Sequence, residues 1–232
     1  MTTDVFHTNF EAPLTKRDFD TGFSLLPPAI QNKILRFHRW QDRTVSLLGK
    51  LLLIHALKIA GIDRQLSSLK YSEFDRPCFE NGPDFNISHS GSRIVCAIAS
   101  EGSVGIDIEK VEPIPVEEFE QNFTADEWKI IRTAEDVQRT FYQFWTRKEA
   151  ILKADGKGLN IPLQSFEVID DEVVLDSLAD PPGLSQQSNR WHLHHLEIND
   201  DYLAYLACQN ASPDITMEAI SPADLILSTS TK

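Results

Sequence analysis

The stretch V-G-I-D-I-E-K at residues 104–110 is answered further along by W-T-R-K-E-A-I-L-K-A-D-G-K-G-L at 145–159, and these two runs organise the rest of the chain. Side chains two apart in a β-strand share a face. A strand over Val104–Glu109 therefore presents Asp107 and Glu109 together and turns Ile106 and Ile108 the other way. Valine and isoleucine favour such a half-buried strand. Neighbouring carboxylates repel unless a cation lies between them. An all-oxygen set suits a hard divalent ion such as Mg²⁺, which takes phosphate oxygens as further ligands. The second run, read as the end of a helix, adds Glu149 as a third carboxylate and Lys148 and Lys153 as cations for phosphate.

Each run alone has an ordinary reading. A lone D-x-E serves as solvated strand residues, and Glu149 with Lys153 has the i, i+4 spacing of a surface helix pair. Jointly they are harder to dismiss, because each sits in a longer pattern.

At 232 residues the chain can bury a large core as one domain or two of about a hundred residues each. Hydrophobic and charged contents of 41% and 25% are those of a soluble globular protein. No apolar run is long enough to span a bilayer, and M-T-T-D-V-F-H-T-N-F-E lacks the basic-then-apolar start of a secretory signal. No membrane association is expected. Cys78, Cys96 and Cys208 are widely spaced and read as reduced thiols of a cytoplasmic protein, not as a disulfide or zinc framework. With 22 basic against 35 acidic residues, net −13, the balance argues against nucleic acid as the partner. The same charge opposes long-range steering of any polyanion. Positive charge must be concentrated locally, at Lys33, Arg36, Arg39 and Arg43 and at Arg147, Lys148, Lys153 and Lys157.

Pro28 suits the first turn of a helix. A second helix is predicted from about Asp42 to Ala60, its Val45, Leu48, Leu52, Ala56 and Ile59 recurring at helical steps with Gly61 as the stop. Ile94–Ala99 is apolar on both faces and reads as a central strand. Pro113 and Pro115 punctuate the boundary region between an N-terminal half, 1–103, and a C-terminal half, 104–232. Thr124 and Glu127 have capping-box spacing. A longer helix is predicted from about Val137 to Ala154, ending at Asp155-Gly156. Strands follow at Phe166–Ile169 and Val173–Leu175, then a Pro181-Pro182-Gly183 loop and a hairpin of Trp191–Ile198 with Tyr202–Cys208. Asn86–Ser100 and His194–Gln209 echo each other weakly, each a polar turn and an apolar strand with a late cysteine.

F-N-I-S-H-S-G at 85–91 is a third element, ending a strand with two hydroxyls, an imidazole and a glycine, donors suited to phosphate. A Ser-His hydrolase is disfavoured, since neighbours in sequence rarely form a nucleophile-base pair and no G-x-S-x-G elbow exists. His192 and His194 share a strand face but lack a third spaced ligand, so they are not read as a metal site.

With these three elements in order, the chain resembles the 4′-phosphopantetheinyl transferase family, specifically its longer, single-chain, pseudo-dimeric type, from about Pro27 to P-D-I-T-M-E at 213–218. The resemblance implies an α+β fold of two similar α+β halves forming a pseudo-dimer, with the coenzyme A cleft between them. It implies Mg²⁺, with Mn²⁺ as the alternative ion, held by Asp107, Glu109 and Glu149. Glu149 would be the base and Lys153 would stabilise the phosphoryl oxygens, with Lys148 as a second phosphate contact. By the same resemblance Ser88 and His89 contact the nucleotide and diphosphate of coenzyme A, and Arg76 takes the place of a basic nucleotide contact. Lys33 and Ser46 match positions that hold the 3′-phosphate. Val45 departs, since a basic residue is common there, and Arg43 is the candidate compensation. The implied partner is an apo acyl-, peptidyl- or polyketide-carrier protein, and a monomer is expected. Two other classes fit parts of the pattern: a Mg²⁺-dependent phosphohydrolase using the same carboxylates on water, and a non-catalytic interaction module.

Overall fold

A computed structural model describes residues 2–175 and 189–230. In chain order its main elements are β1 (Thr2–Asn9), α1 (Lys16–Ser24), α2 (Pro28–Leu35), α3 (Trp40–Ile59), β2 (Lys70–Tyr71), β3 (Pro77–Cys78), β4 (Asp84–Ser90), β5 (Arg93–Ala99) and β6 (Val104–Lys110). These are followed by α4 (Ala125–Thr133), α5 (Val137–Asp155), β7 (Glu172–Val174), β8 (Arg190–His195), β9 (Tyr202–Cys208), β10 (Asp214–Ala219) and α6 (Pro222–Ser230). The fold is α+β, and it divides into two compact units: Thr2–Ser100 together with the segment beginning at Asp214, and Glu101–Pro213.

In the first unit the sheet order is β10-β1-β5-β4. The doubly apolar β5 is flanked on both sides, antiparallel to β1 and to β4, as its composition requires. The long helix α3 covers this sheet. Its Leu47, Leu48, Leu51 and Leu52 are fully buried with Phe85, Ile94 and Ile98. Pro28 opens α2 in the first turn, and Gly61, at φ +67, follows the cap of α3 in the left-handed region that glycine enters without strain.

In the second unit the order is β6-β9-β8-β7, all antiparallel. Helix α5 covers it, burying Phe141, Ile151 and Leu152 with Trp191, Leu193 and Leu203. Thr124 and Glu127 close both bonds of a capping box at α4. Gly156, at φ +80, ends α5 and donates to the Leu152 carbonyl.

The two units share one topology. A first strand (β1, β6) leads to a long covering helix (α3, α5) and then to a hairpin (β4–β5, β8–β9) whose second strand pairs antiparallel with the first. The weak echo between Cys96 and Cys208 is thus a repeat of structure.

Several expectations are corrected. The segment from Asp214 does not join the half that begins at Val104: β10 pairs parallel with β1, and α6 buries Leu225 and Ile226 in the first core. Phe166–Ile169 is not a strand, because side chains take its backbone groups. Glu127 Oε1 accepts from Val168 N at 2.8 Å, and Lys148 Nζ donates to Phe166 O at 2.6 Å. The β8–β9 ladder stops at His195, short of the Ile198 expected. The Pro181-Pro182-Gly183 loop lies outside the described residues. Among those residues, no helix is long and apolar enough to cross a membrane, and Cys78, Cys96 and Cys208 are free thiols. Burial pushes Cys96 up to about 12.

Candidate active site

Gly105 decides how close strand β6 and helix α5 come. A Cβ there would sit 2.2 Å from the Ala150 carbonyl oxygen and 2.3 Å from the Ala154 nitrogen, so the helix backbone rests directly on the strand. Asp107 and Glu109 share the Gly105 face by strand alternation and therefore look toward α5. The isoleucines between them, Ile106 and Ile108, are fully buried on the other face. From α5, Lys153 Nζ reaches Asp107 Oδ1 at 2.5 Å, and the Asp107 side chain is almost completely buried. Glu149, one turn earlier on the same helical face, is half-buried. Burial first, and then the charge of Asp107, push its carboxyl above the ordinary value, while Lys153 pulls it partly back. Glu109 is near enough to α5 to act on the Tyr142 phenol, whose pKa is raised mainly by burial.

The strand–helix contact thus gathers Asp107, Glu149 and Lys153, with Glu109 one step along β6. The donor set is oxygen-only, and Asp107 and Glu149 lie in each other's field, a repulsion that a hard cation would relieve. In that chemical respect the residues fit a divalent ion. Among the described residues no group of three or more His, Cys, Asp and Glu side chains is already arranged to hold one, and the ion on Asp107 is the Lys153 ammonium.

Lys148 is not a phosphate contact. It is fully buried, 2.9 Å from the equally buried Glu127 carboxylate. It also donates to the carbonyls of Leu163 and Phe166 at 2.7 and 2.6 Å and lies 4.4 Å from the Phe166 ring centroid. Its three N–H donors are spent on protein. Arg147 is committed as well, donating to the Asp170 carbonyl at 2.7 Å, pairing with Asp171 at 2.9 Å and lying over the Tyr205 ring. Of the cationic cluster read around the second motif, Lys153 and Lys157 keep appreciable exposure.

The first unit holds a separate cavity of about 350 Å³ where α3 faces β4. Ser46 and His89, both read from the sequence, line it together with Asn86 and Lys50. Ser88 takes the opposite face of β4 and is buried, so it does not accompany His89. Lys33 donates to the Tyr71 hydroxyl at 3.1 Å and lies over that ring. Arg76 makes a bidentate pair with Asp84 at 2.6 and 2.7 Å, which offsets its charge. Arg43 donates through Nε to the Phe37 carbonyl at 2.8 Å and is not part of the cavity lining.

Comparison with known proteins gives these residues a common context. Residues 103–207 match the family model described as 4′-phosphopantetheinyl transferase superfamily, and residues 13–102 match that described as 4′-phosphopantetheinyl transferase, N-terminal. The 4′-phosphopantetheinyl transferase Sfp of Bacillus subtilis (strain 168) is 33% identical over 170 residues, covering 71% of this chain and 75% of its own length. The chain belongs to the 4′-phosphopantetheinyl transferase family. A second 4′-phosphopantetheinyl transferase of Bacillus subtilis is 34% identical over 169 residues, with coverages of 71% and 75%. A putative 4′-phosphopantetheinyl transferase of Synechocystis sp. (strain ATCC 27184 / PCC 6803 / Kazusa) is 31% identical over 192 residues, with coverages of 75% and 76%.

The protein is therefore a phosphopantetheinyl transferase of the single-chain, Sfp-like type, an enzyme that transfers phosphopantetheine to carrier proteins. Two further charged residues stand out only in the structure, Glu127 in its buried pair and Lys50 in the cavity lining. Glu127 reads only as a helix cap, and nothing in its spacing announces the pairing with Lys148. Lys50 was legible in principle, since it lies one helical turn beyond Ser46 on the same face of α3.

Proposed function

We propose that the enzyme transfers the 4′-phosphopantetheine group of coenzyme A to a serine hydroxyl of an apo acyl-, peptidyl- or polyketide-carrier protein, releasing 3′,5′-ADP. The observation that carries this reading is the set on β6 and α5: the Glu149 carboxylate beside an Asp107–Lys153 ion pair. Glu149 takes the serine proton as general base. The serine oxygen then forms a bond to the β-phosphorus as the bond from phosphorus to the ADP oxygen breaks. Lys153 stabilises the phosphoryl oxygens as charge moves to the leaving group. Asp107 holds the Lys153 ammonium in place until substrate arrives. Asp107, Glu109 and Glu149 would hold Mg²⁺, or Mn²⁺ in its place, and the bound ion would supply neutralisation of diphosphate charge. His89, Ser46 and Lys33 on the first unit supply donors for the nucleotide. The reading is of a cytoplasmic enzyme that acts as a monomer.

The test is to incubate the enzyme with coenzyme A, Mg²⁺ and an apo-carrier, then weigh the carrier. A gain of one phosphopantetheine is expected. Release of 3′,5′-ADP without a mass gain would make the protein a phosphohydrolase, and no change at all would make it a non-catalytic module. Glu149→Ala is expected to abolish the gain while coenzyme A binding partly survives; near-normal turnover in that variant would remove Glu149 from the mechanism.

A further inference from the structure

The cavity between α3 and β4 contains one cation that the sequence reading did not use. Lys50 lines it beside Ser46, Val45 and His89, with its stem half-buried along the helix. Among the described residues no carboxylate forms an ion pair with Lys50, and no hydrogen bond satisfies its ammonium. Its electrostatic neighbours are the Tyr71 phenol, the Cys96 thiol and a second cation, Lys33. Burial, with Lys33 adding to it, lowers the Lys50 pKa, the signature of an ammonium held without a counterion. Asp42 also lines the cavity but does not pair with Lys50, and it lies two helical turns before it.

A partly buried ammonium without an anion costs free energy that a fold seldom retains unless something else offsets it. Here the surroundings point to what does. Two ammonium groups, the Ser46 hydroxyl and the His89 imidazole lie in or beside the same space and can act as donors there. A group of donors with an excess of positive charge matches an anion bearing several oxygens and more than one charge, which is a phosphate.

We infer that Lys50 is the anchor for a phosphate group of coenzyme A in this cavity, and that it supplies there the positive charge that Val45 does not. The assignment rests on the proposal that coenzyme A is the substrate. It also replaces Arg43 as the compensating cation, since the Arg43 Nε is engaged by the Phe37 carbonyl and its side chain is outside the cavity lining.

Calorimetric titration of the full chain and of Lys50→Met with coenzyme A and with 3′-dephospho-coenzyme A tests this. Methionine keeps the length of the stem and removes only the charge. Losing a charged hydrogen bond to phosphate is expected to weaken coenzyme A binding about tenfold or more. If the difference between the two proteins disappears with 3′-dephospho-coenzyme A, Lys50 holds the 3′-phosphate; if it persists, Lys50 holds the diphosphate. Either result supports the anchor. The melting temperature without ligand should stay level or rise in Lys50→Met, because among the described residues the ammonium has no ion pair or hydrogen bond to lose. Undiminished coenzyme A affinity, or weakened affinity with a lower melting temperature, overturns the role of Lys50 while leaving the substrate reading intact. A wild-type chain that fails to bind coenzyme A at all sinks both.

Discussion

Two lysines five residues apart on one helix, Lys148 and Lys153, are chemically identical in the sequence and opposite in use. Lys153 emerges beside Asp107 with part of its side chain in solvent, whereas Lys148 is sealed in with Glu127 and two backbone carbonyls. Five residues turn a helix by roughly 140°, so the two cannot share a face. Which face meets solvent is not written in the spacing. Burial pulls the Lys148 pKa down, and Glu127 pulls it partly back up. Lys148→Ala would leave the Glu127 carboxylate buried alone, and a loss of about 3–5 kcal/mol in urea denaturation is expected. Combining Lys148→Met with Glu127→Gln removes both charges and should cost clearly less than the two single changes added together. Strict additivity, or a Lys148→Ala variant as stable as the wild type, would show that the pair does not fasten α5 to the 163–168 segment.

At the scale of elements, the strand–helix contact is set by glycine as much as by the carboxylates it carries. Gly105 admits no Cβ, because the α5 backbone lies within 2.2 Å of where that atom would be. Gly105→Ala must push helix and strand apart, so a loss of more than about 3 kcal/mol is expected. Transfer should fall with it, since Glu149 and Lys153 move with the helix. Gly49→Ala is the control: its Cβ would meet Ile87 and Ile94 methyls at 3.4 and 3.6 Å, and it sits in mid-helix. That change should be neutral or stabilising by up to about 1 kcal/mol in thermal or chemical unfolding. Equal behaviour of the two variants would deny the close approach. The same scale explains why α3, α5 and the capping box were legible in the sequence and the 166–169 segment was not. Periodicity and caps report on a segment's own backbone. Phe166 and Val168 instead satisfy theirs through Lys148 and Glu127, residues far along the chain.

Across the whole molecule, buried and half-buried histidines make stability sensitive to acid. His7, His55 and His194 all have pKa values lowered from 6.5, chiefly by burial; His55 feels opposing effects from Glu218 and Lys58, and His7 the charge of Arg93. Well above pH 6.5 each is neutral whether folded or not. As pH falls through that value the unfolded chain takes protons that the native state refuses, so stability drops until the lowered native pKa is reached. His55→Gln should therefore lose less melting temperature than the wild type between about pH 7.5 and about pH 5.5. An unchanged slope would exclude His55 from the effect. The sequence by itself determined the family, the α+β elements and the facing of Asp107 and Glu109, because motif identity, periodicity and strand alternation are properties of neighbours along a chain. Only the tertiary structure decided that β10 completes the first unit's sheet, that Lys148 is spent inside the core while Lys153 meets Asp107, and that Lys50 shares a cavity with His89. Those outcomes depend on which distant groups satisfy each buried charge and each open backbone edge, and that pairing arises when the chain closes on itself.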